Sequence, residues 1–262
     1  AGVALTPAPT HWTTDSGEPL RVAIAQGNIP QDEKWLPEME RPTLQRYDAM
    51  TMQAAGDDLI LWPEVALTRT YEKLREPYLG PIARELNAKG TTLLAGMLVN
   101  EDGGYYNSVI ALGAHEGRYD KRHLVPFGEY FPIPDWLRPV MDVLGTPYSD
   151  MLFGTPVQTP IYVRGHRIGI GICFEDVFAD EYRRDAADSG LMTVATNDAW
   201  FGHSGAAAQH LAMARLRAIE TGRVVLRASN TGVAAISCPD GALQAQTGFV
   251  TTELLRGTAQ PR

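Results

Sequence analysis

The feature that most constrains the fold is the alternation of short apolar runs with longer segments of helical spacing. The apolar runs, rich in Val, Ile and Leu, include residues 21–26, 58–62, 91–99, 167–173 and 191–197. Helical spacing of apolar residues recurs between and after them, at residues 41–55, 71–88, 178–187 and 205–221. Short strands that alternate with helices indicate an α/β fold. A chain of 262 residues suits one large domain or two small ones.

The first 20 residues differ from the rest, because they are rich in Pro, Thr and Gly and show no periodicity. Such a stretch is typical of a linker, so we expect residues 1–20 to be a linker and residues 21–262 to form the folded domain. The chain starts at Ala1 without a methionine. We interpret this start as a sign of a processed product or an excised piece.

Composition excludes several classes of function. A net charge of -8 argues against a nucleic-acid surface and gives no attraction to anionic lipid headgroups, so any membrane docking has to be apolar. No segment approaches the roughly 18 apolar residues of a membrane-spanning helix. Gly169 and Gly171 lie inside a strand pattern, which disfavours a dinucleotide site. The six histidines are scattered, and we expect neither a metal nor a cofactor.

A thiol ends the apolar run at residues 167–173. Isoleucine alternates with glycine up to Cys173, and Phe174, Glu175 and Asp176 follow. Period-two spacing predicts a buried strand, which places Cys173 where the chain turns and makes it a candidate nucleophile. The alternative is that Cys173 packs in the core, as cysteines commonly do. In an oxidising compartment Cys173 and Cys238 would be able to form a disulfide, although we expect Cys238 to lie in a strand near a turn at 239–241.

Two other strand-like runs also end in charged residues. Pro63 ends the run at 58–62, and this places Glu64 at the edge of the sheet. Lys121 ends the run at 117–121, and a second carboxylate, Glu129, follows an apolar turn. The alternatives are that Glu64 is a solvated loop acid and that Lys121 belongs to an exposed pair with Arg122.

The order Glu64, Lys121, Cys173, each at the end of a strand-like run, resembles the carbon–nitrogen hydrolase (nitrilase) superfamily. The resemblance implies a four-layer α-β-β-α sandwich with the triad at the strand ends. It also implies that Glu64 is the general base and Cys173 the nucleophile. Lys121 would stabilise the thiolate and the oxyanion, and the backbone N–H of Phe174 would be a second oxyanion donor.

The same resemblance suggests supporting roles for residues around the triad. Glu129 would position Lys121 or the substrate, and Glu175 would hold the turn after Cys173. Asn107 would hydrogen-bond near the triad. Trp200 would line the substrate pocket, although plain core packing explains this aromatic residue equally well.

A narrower resemblance covers residues 21 to 241. Residues 26–31, 106–108, 123–129 and 197–202 are similar to motifs of the apolipoprotein N-acyltransferase family, with Phe174 where some members carry Tyr. The family implies a phospholipid acyl donor, a lipid-modified apolipoprotein acceptor and a membrane surface. It also implies a location at the inner membrane, on the periplasmic side. The family's transmembrane helices are absent from this sequence, so we expect an isolated extracytoplasmic catalytic domain.

Two other classes of function stay open. A soluble carbon–nitrogen hydrolase would use the same triad to transfer the acyl group to water. A non-catalytic binding module is the second alternative, and the presence of all three triad residues argues against it.

Residues 130–153 predict a further feature, either a mobile lid over Cys173 that faces the bilayer or a helix packed on the core. The apolar residues of this stretch fall at helical spacing on one side: Trp136, Leu137, Val140, Met141 and Leu144.

Overall fold

The computed structural model describes residues 12–133, 151–202 and 204–262. The first half of the chain contains β1 Leu20–Gln26, α1 Pro37–Ala54, β2 Leu59–Leu61, α2 Tyr71–Leu74, a π-helix Arg75–Leu79, α3 Gly80–Ala88, β3 Thr92–Glu101, β4 Gly104–Gly113 and β5 Gly117–Asp120. The second half contains β6 Ile161–Val163, β7 His166–Ile172, a 3₁₀ helix Cys173–Val177, α4 Ala179–Ala187, β8 Leu191–Thr196, a 3₁₀ helix Asp198–Phe201, α5 Ala206–Thr221, β9 Val225–Ser229, β10 Ala235–Ser237, β11 Leu243–Gln246 and β12 Glu253–Ala259.

The strands form two mixed sheets, each of six strands within the described residues. The first sheet has the order β12-β1-β2-β3-β4-β5 and the second the order β11-β10-β9-β8-β7-β6. Strands β1, β2 and β3 run parallel, as do β7, β8 and β9, and the flanking strands are antiparallel. Ligand-binding residues commonly follow the carboxyl ends of parallel strands, so these ends are where a site is expected.

The side chains of each strand alternate between two cores. Val22 and Ile24 of β1 belong to the same buried cluster as Ile168 and Ile170 of β7, in the space between the sheets. The residues between them, such as Ala23, point to the other face of the first sheet, which α1 and α3 cover. Helices α4 and α5 cover the outer face of the second sheet. The layers are therefore helix, sheet, sheet, helix, which confirms the predicted α-β-β-α sandwich.

Three local predictions need correction. The strand predicted at 167–173 ends at Ile172, and Cys173 begins a 3₁₀ helix with a φ of 50°. The helix predicted at 71–88 is interrupted by a π-helix, Arg75–Leu79, because Pro77 has no N–H to give to a regular helical hydrogen bond. Strand β12 was not predicted. Its residues do not alternate cleanly between buried and exposed, and it pairs with the distant β1.

In the part of the chain that the structure describes, the segment before β1 is hydrogen-bonded to the end of helix α5 and to the last residues of the chain. The Thr13 hydroxyl donates a hydrogen bond to the carbonyl of Gly222 (2.7 Å), and the Ser16 N–H donates to the carbonyl of Pro261 (2.8 Å). The predicted lid residues, Trp136, Leu137, Val140, Met141 and Leu144, lie outside the described residues. Among the helices described, none combines the length and apolar character needed to cross a membrane.

Candidate active site

A cluster of buried polar residues lies where four strands end. Lys121 directly follows β5, Cys173 follows β7 and Asn197 follows β8. Glu64 comes three residues after β2, beyond Pro63. The two packed sheets bring these ends together, so that residues from distant parts of the sequence meet at one edge of the sandwich.

Glu64 is the centre of this cluster and is 6% exposed. Its Oε1 accepts hydrogen bonds from Asn107 Nδ2 (2.7 Å) and Lys121 Nζ (3.3 Å). Its Oε2 accepts one from the backbone N–H of Asn197 (3.0 Å). Three donors fix the position of this carboxylate within the cluster, so Glu64 is placed where it can act as a proton acceptor.

Lys121 lies between two carboxylates and is 1% exposed. Its Nζ contacts Glu129 Oε1 at 2.8 Å and Glu64 Oε1 at 3.3 Å. Burial lowers the pKa of Lys121, but the charges of Glu64, Cys173 and Glu129 outweigh burial and raise it above its ordinary value. The ammonium group is therefore a fixed positive charge beside the thiol.

Glu129 is in turn fixed by its own partners. It accepts hydrogen bonds from Asn107 Nδ2 (3.0 Å) and from the Val125 N–H (2.8 Å). Asn107 thus bridges the two carboxylates that hold Lys121.

Cys173 begins its 3₁₀ helix in the left-handed region, with a φ of 50°. A non-glycine residue in this region is strained, and such strain is concentrated at functional sites. Burial, with a further contribution from Glu64, raises the pKa of Cys173 to about 12, although Lys121 and a hydrogen bond with Thr196 act in the opposite direction. The resting thiol is therefore neutral at physiological pH, and it must pass its proton to a base when it attacks.

Glu175 ties the turn after Cys173 to the segment that follows β5. Its Oε2 accepts hydrogen bonds from the Ile172 N–H (2.8 Å) and the Tyr119 hydroxyl (3.0 Å). Its Oε1 accepts from the N–H groups of Arg122 (2.7 Å) and His123 (3.2 Å). Burial raises the pKa of Glu175, and these backbone donors oppose that rise.

The structure brings together most of the residues singled out from the sequence. Glu64, Lys121, Cys173, Glu129 and Asn107 form one cluster, and Arg122 is not an exposed partner of Lys121 but binds Asp185. Cys173 and Cys238 are free thiols, so they are not joined by a disulfide.

Phe174 and Trp200 lie at the margin of the cluster. The Phe174 ring packs edge-on against Phe178, with 5.3 Å between ring centroids. Trp200 is 73% exposed and lines an open cleft of about 620 Å³ with Trp35 and Phe249. Within the described residues none of the triad lines that cleft, and the exposure of Trp200 shows that it is not packed in the core.

Sequence reasoning missed three residues of the cluster. Thr196 hydrogen-bonds Cys173, the Asn197 N–H binds Glu64, and Lys34 is buried within the electrostatic reach of Glu64. The available signal was the polar run that follows the apolar strand β8, because polar residues at such strand ends point to a site. No group of three or more potential metal ligands is found in residues 12–133, 151–202 and 204–262.

The chain belongs to the carbon–nitrogen hydrolase family, whose model matches residues 21–261. The fold agrees with two solved structures. A carbon–nitrogen hydrolase superfamily protein from Xanthomonas campestris, with an arsenic adduct in its active site, gives a TM-score of 0.68 at 19% identity, over 93% of this chain and 91% of that one. Saccharomyces cerevisiae Nit3, of the nitrilase superfamily, gives 0.68 at 16% identity, over 98% and 93%.

Among curated proteins, the chain is similar to apolipoprotein N-acyltransferases. It is 42% identical to that of Methylococcus capsulatus over 97% of this chain and 51% of the relative. It is 41% identical to that of Nitrosomonas europaea over 95% and 51%, and 37% identical to that of Pseudomonas aeruginosa over 95% and 50%. The chain therefore spans about half the length of these curated relatives.

Proposed function

We propose that this chain is the catalytic domain of an apolipoprotein N-acyltransferase that works through a thioester on Cys173. The observation that carries the proposal is the contact set of Glu64, Lys121 and Glu129 beside the strained Cys173. The similarity to N-acyltransferases over 97% of the chain supports this choice within the family. In this proposal residues 21–262 form the catalytic domain and residues 1–20 a linker.

In the first half-reaction the Cys173 thiol attacks an ester carbonyl of a glycerophospholipid, while Glu64 takes the thiol proton. Lys121 stabilises the oxyanion, together with the backbone N–H of Phe174. The intermediate then expels the lysophospholipid alkoxide, which receives the proton from Glu64. The acyl chain remains on Cys173 as a thioester, so one difficult transfer is divided into two easier ones.

In the second half-reaction the free α-amino group of a diacylglyceryl-modified N-terminal cysteine attacks the thioester. Glu64 accepts a proton from the attacking nitrogen and gives it to the departing sulfur of Cys173. The products are an amide on the apolipoprotein and the regenerated thiol. These substrates lie in a membrane, so we propose that the domain acts at the surface of the inner membrane on the periplasmic side.

The test is mass spectrometry of the protein after incubation with phospholipid vesicles and, separately, with simple amides. We expect a long-chain adduct on Cys173 that forms from phospholipid and is discharged by a lipopeptide with a free amino group. The Cys173→Ala variant should form no adduct, while Cys238→Ala, altered at a turn remote from the triad, should behave as wild type. Turnover of amides with no adduct from phospholipid would instead favour a hydrolase that transfers the acyl group to water.

A further inference from the structure

A second buried cluster of charges lies behind the active site, around His210 of helix α5. His210 is 8% exposed, and both of its ring nitrogens contact carboxylates. Nδ1 lies 2.9 Å from Asp198 Oδ1, and Nε2 lies 3.1 Å from Asp176 Oδ1. An imidazole that donates to two carboxylates carries both protons and is positively charged. Burial lowers the pKa of His210, but the two carboxylates outweigh burial and raise it to about 9.

The two carboxylates depend on His210 to different degrees. Asp198 also receives hydrogen bonds from Arg227 Nη2 (2.7 Å) and the Ser229 hydroxyl (2.9 Å). For the side chain of Asp176, which is fully buried, His210 is the one hydrogen-bond donor found in the described part of the chain. Since an unpaired buried charge is costly, Asp176 stays in place because His210 holds it.

Each carboxylate belongs to a turn that carries part of the active site. Asp176 lies in the 3₁₀ helix that begins with Cys173. Asp198 begins the other 3₁₀ helix, directly after Asn197, whose backbone N–H binds Glu64 at 3.0 Å. One imidazolium therefore connects the turn of the nucleophile to the turn that orients the base.

We propose that protonated His210 is a positioning residue that fixes Cys173 relative to Glu64 for proton transfer, by clamping Asp176 and Asp198 together. The inference rests on the proposed roles of Cys173 and Glu64. His210 itself does not touch the reacting atoms. Its contribution is to keep the thiol within reach of its base, because a displacement of about 1 Å can cost on the order of 10²-fold in rate.

Other charged and titratable side chains lie near His210. Arg227 of β9 is paired with Asp198. Tyr182 of α4 faces Asp176, and burial and that charge raise its pKa well above the ordinary value, so it stays neutral. Arg217 of α5 pairs with Glu220. With its pKa raised to about 9, His210 changes its charge between neutral and moderately alkaline pH.

The chemistry of the side chains supplies a matched pair of variants. In His210→Gln the amide nitrogen takes the place of Nε2 and still donates to Asp176. In His210→Asn the amide nitrogen takes the place of Nδ1, donates to Asp198 and leaves Asp176 without its donor. His115, which contacts the Thr92 hydroxyl away from the active site (3.1 Å), provides a control in His115→Asn.

The experiment measures the burst of p-nitrophenolate when p-nitrophenyl butyrate acylates Cys173. His210→Asn should lower the acylation rate constant by about tenfold or more, with the half-saturating ester concentration unchanged, since proton transfer and not binding is affected. His210→Gln should restore the rate to within about threefold of wild type, and His115→Asn should not change it. Equal rates for the Asn and Gln variants, measured on folded protein, would overturn the proposal.

A second measurement tests the role proposed for His210 even if the His210→Asn variant does not fold. Dividing the wild-type acylation rate by the His210→Gln rate cancels the pH dependence of every group that titrates in both proteins. Because glutamine keeps one N–H donor to Asp176 and does not titrate, the ratio should fall from about threefold towards one between about pH 8 and pH 10, as wild-type His210 loses one of its two N–H protons. A ratio that is independent of pH would refute the clamp.

Failure of the clamp and failure of the proposed function give different results. If Cys173→Ala abolishes the burst while the His210 variants match wild type, only the inference about His210 is wrong. If Cys173→Ala retains the burst and the transfer of acyl chains, the function proposed for Cys173 is wrong, and the inference fails with it.

Discussion

Glu64 and Lys121 form a buried pair of opposite charges whose contacts determine what each side chain can do. The carboxylate accepts hydrogen bonds from Asn107, from the Asn197 backbone and from the Lys121 ammonium group. Both side chains are almost fully buried, and their charges compensate each other. The pair thus supplies a base and a cation in a site where water does little to weaken the interaction between their charges.

We predict that Glu64→Gln and Lys121→Met each stop formation of the thioester while the protein stays folded. Loss of a positioned base costs about 10²–10⁴-fold, and loss of a group that stabilises an oxyanion costs about 10²–10³-fold. The burst of p-nitrophenolate measures both. Glu116→Gln and Lys89→Met, at solvent-accessible positions, are the controls. A rate within about threefold of wild type for either active-site variant would contradict the triad.

Lys34 is a buried cation whose ammonium group forms no hydrogen bond or ion pair among the described residues. Burial lowers its pKa to about 8, and the charge of Glu64 only partly opposes this effect. Between about pH 8 and pH 10.4 the unfolded chain binds the proton more tightly than the folded protein, so this group makes stability rise with pH. At neutral pH the buried charge costs on the order of 3 kcal/mol.

We therefore predict that Lys34→Met raises the free energy of unfolding at pH 7 by about 1–3 kcal/mol. The gain should shrink as the pH rises from about 8 and disappear above about 10.4, where the wild-type lysine is neutral in both states. Urea unfolding at several pH values measures it. Lys89→Met, a change at the surface, should shift stability by less than about 0.5 kcal/mol. A destabilised Lys34→Met protein would show that the ammonium group has a stabilising partner.

At the scale of secondary-structure elements, Gly96 of β3 decides where Glu64 lies. A Cβ at Gly96 would come within 2.2 Å of the Pro63 carbonyl oxygen and 2.8 Å of Glu64 Cα. Both contacts are to backbone, which cannot rotate away. The carbonyl of Gly96 also accepts a hydrogen bond from the Ala66 N–H (2.8 Å). The strand and the Glu64 loop thus approach closely because residue 96 has no side chain.

We predict that Gly96→Ala lowers stability by about 1–3 kcal/mol and reduces the acylation rate more than the stability loss explains. The physical reason is that the loop must move away from β3 and carry Glu64 with it. Thermal unfolding and the ester burst measure the two effects. Gly205→Ala is the control, because its Cβ would meet no atom within 4 Å. Wild-type acylation in a folded Gly96→Ala protein would contradict this explanation.

At the scale of the whole molecule, the net charge and the exposed aromatic residues limit how the domain could approach the bilayer that the proposed function requires. The net charge is -8, and exposed aromatic residues such as Trp35 and Trp200 line the open cleft near the Asp198 turn. Aromatic side chains of this kind suit the headgroup region of a membrane. Attraction to anionic lipids is not expected from the charge.

We predict that the protein binds zwitterionic vesicles at least as tightly as vesicles rich in anionic lipid. Because the net charge repels an anionic surface, raising the salt concentration should not weaken binding, and should strengthen it on anionic vesicles by screening. Co-sedimentation at low and high salt measures both. Binding to anionic vesicles about tenfold tighter at low salt would instead require a basic patch that docks on the membrane.

The sequence alone determined the class of fold and the identities of the candidate reactive groups. Alternating apolar runs and helical segments specify an α/β chain, because strand and helix periods are local properties of the sequence. Glu64, Lys121 and Cys173 were identifiable because each lies at or near the end of such a run and their order resembles the carbon–nitrogen hydrolase pattern. Gly222, which directly follows the helical spacing at 205–221, ends helix α5 in the left-handed conformation that glycine tolerates, with a φ of 61°.

Only the tertiary structure decided how these groups are connected. The pairing of β12 with β1, the strained φ of Cys173, the bond from the Asn197 N–H to Glu64 and the clamp of His210 all depend on contacts between distant parts of the chain. A local pattern does not encode such contacts, because they arise when the two sheets pack. His210 in the middle of a helix resembles any other polar residue until Asp176 and Asp198 are brought to its two nitrogens.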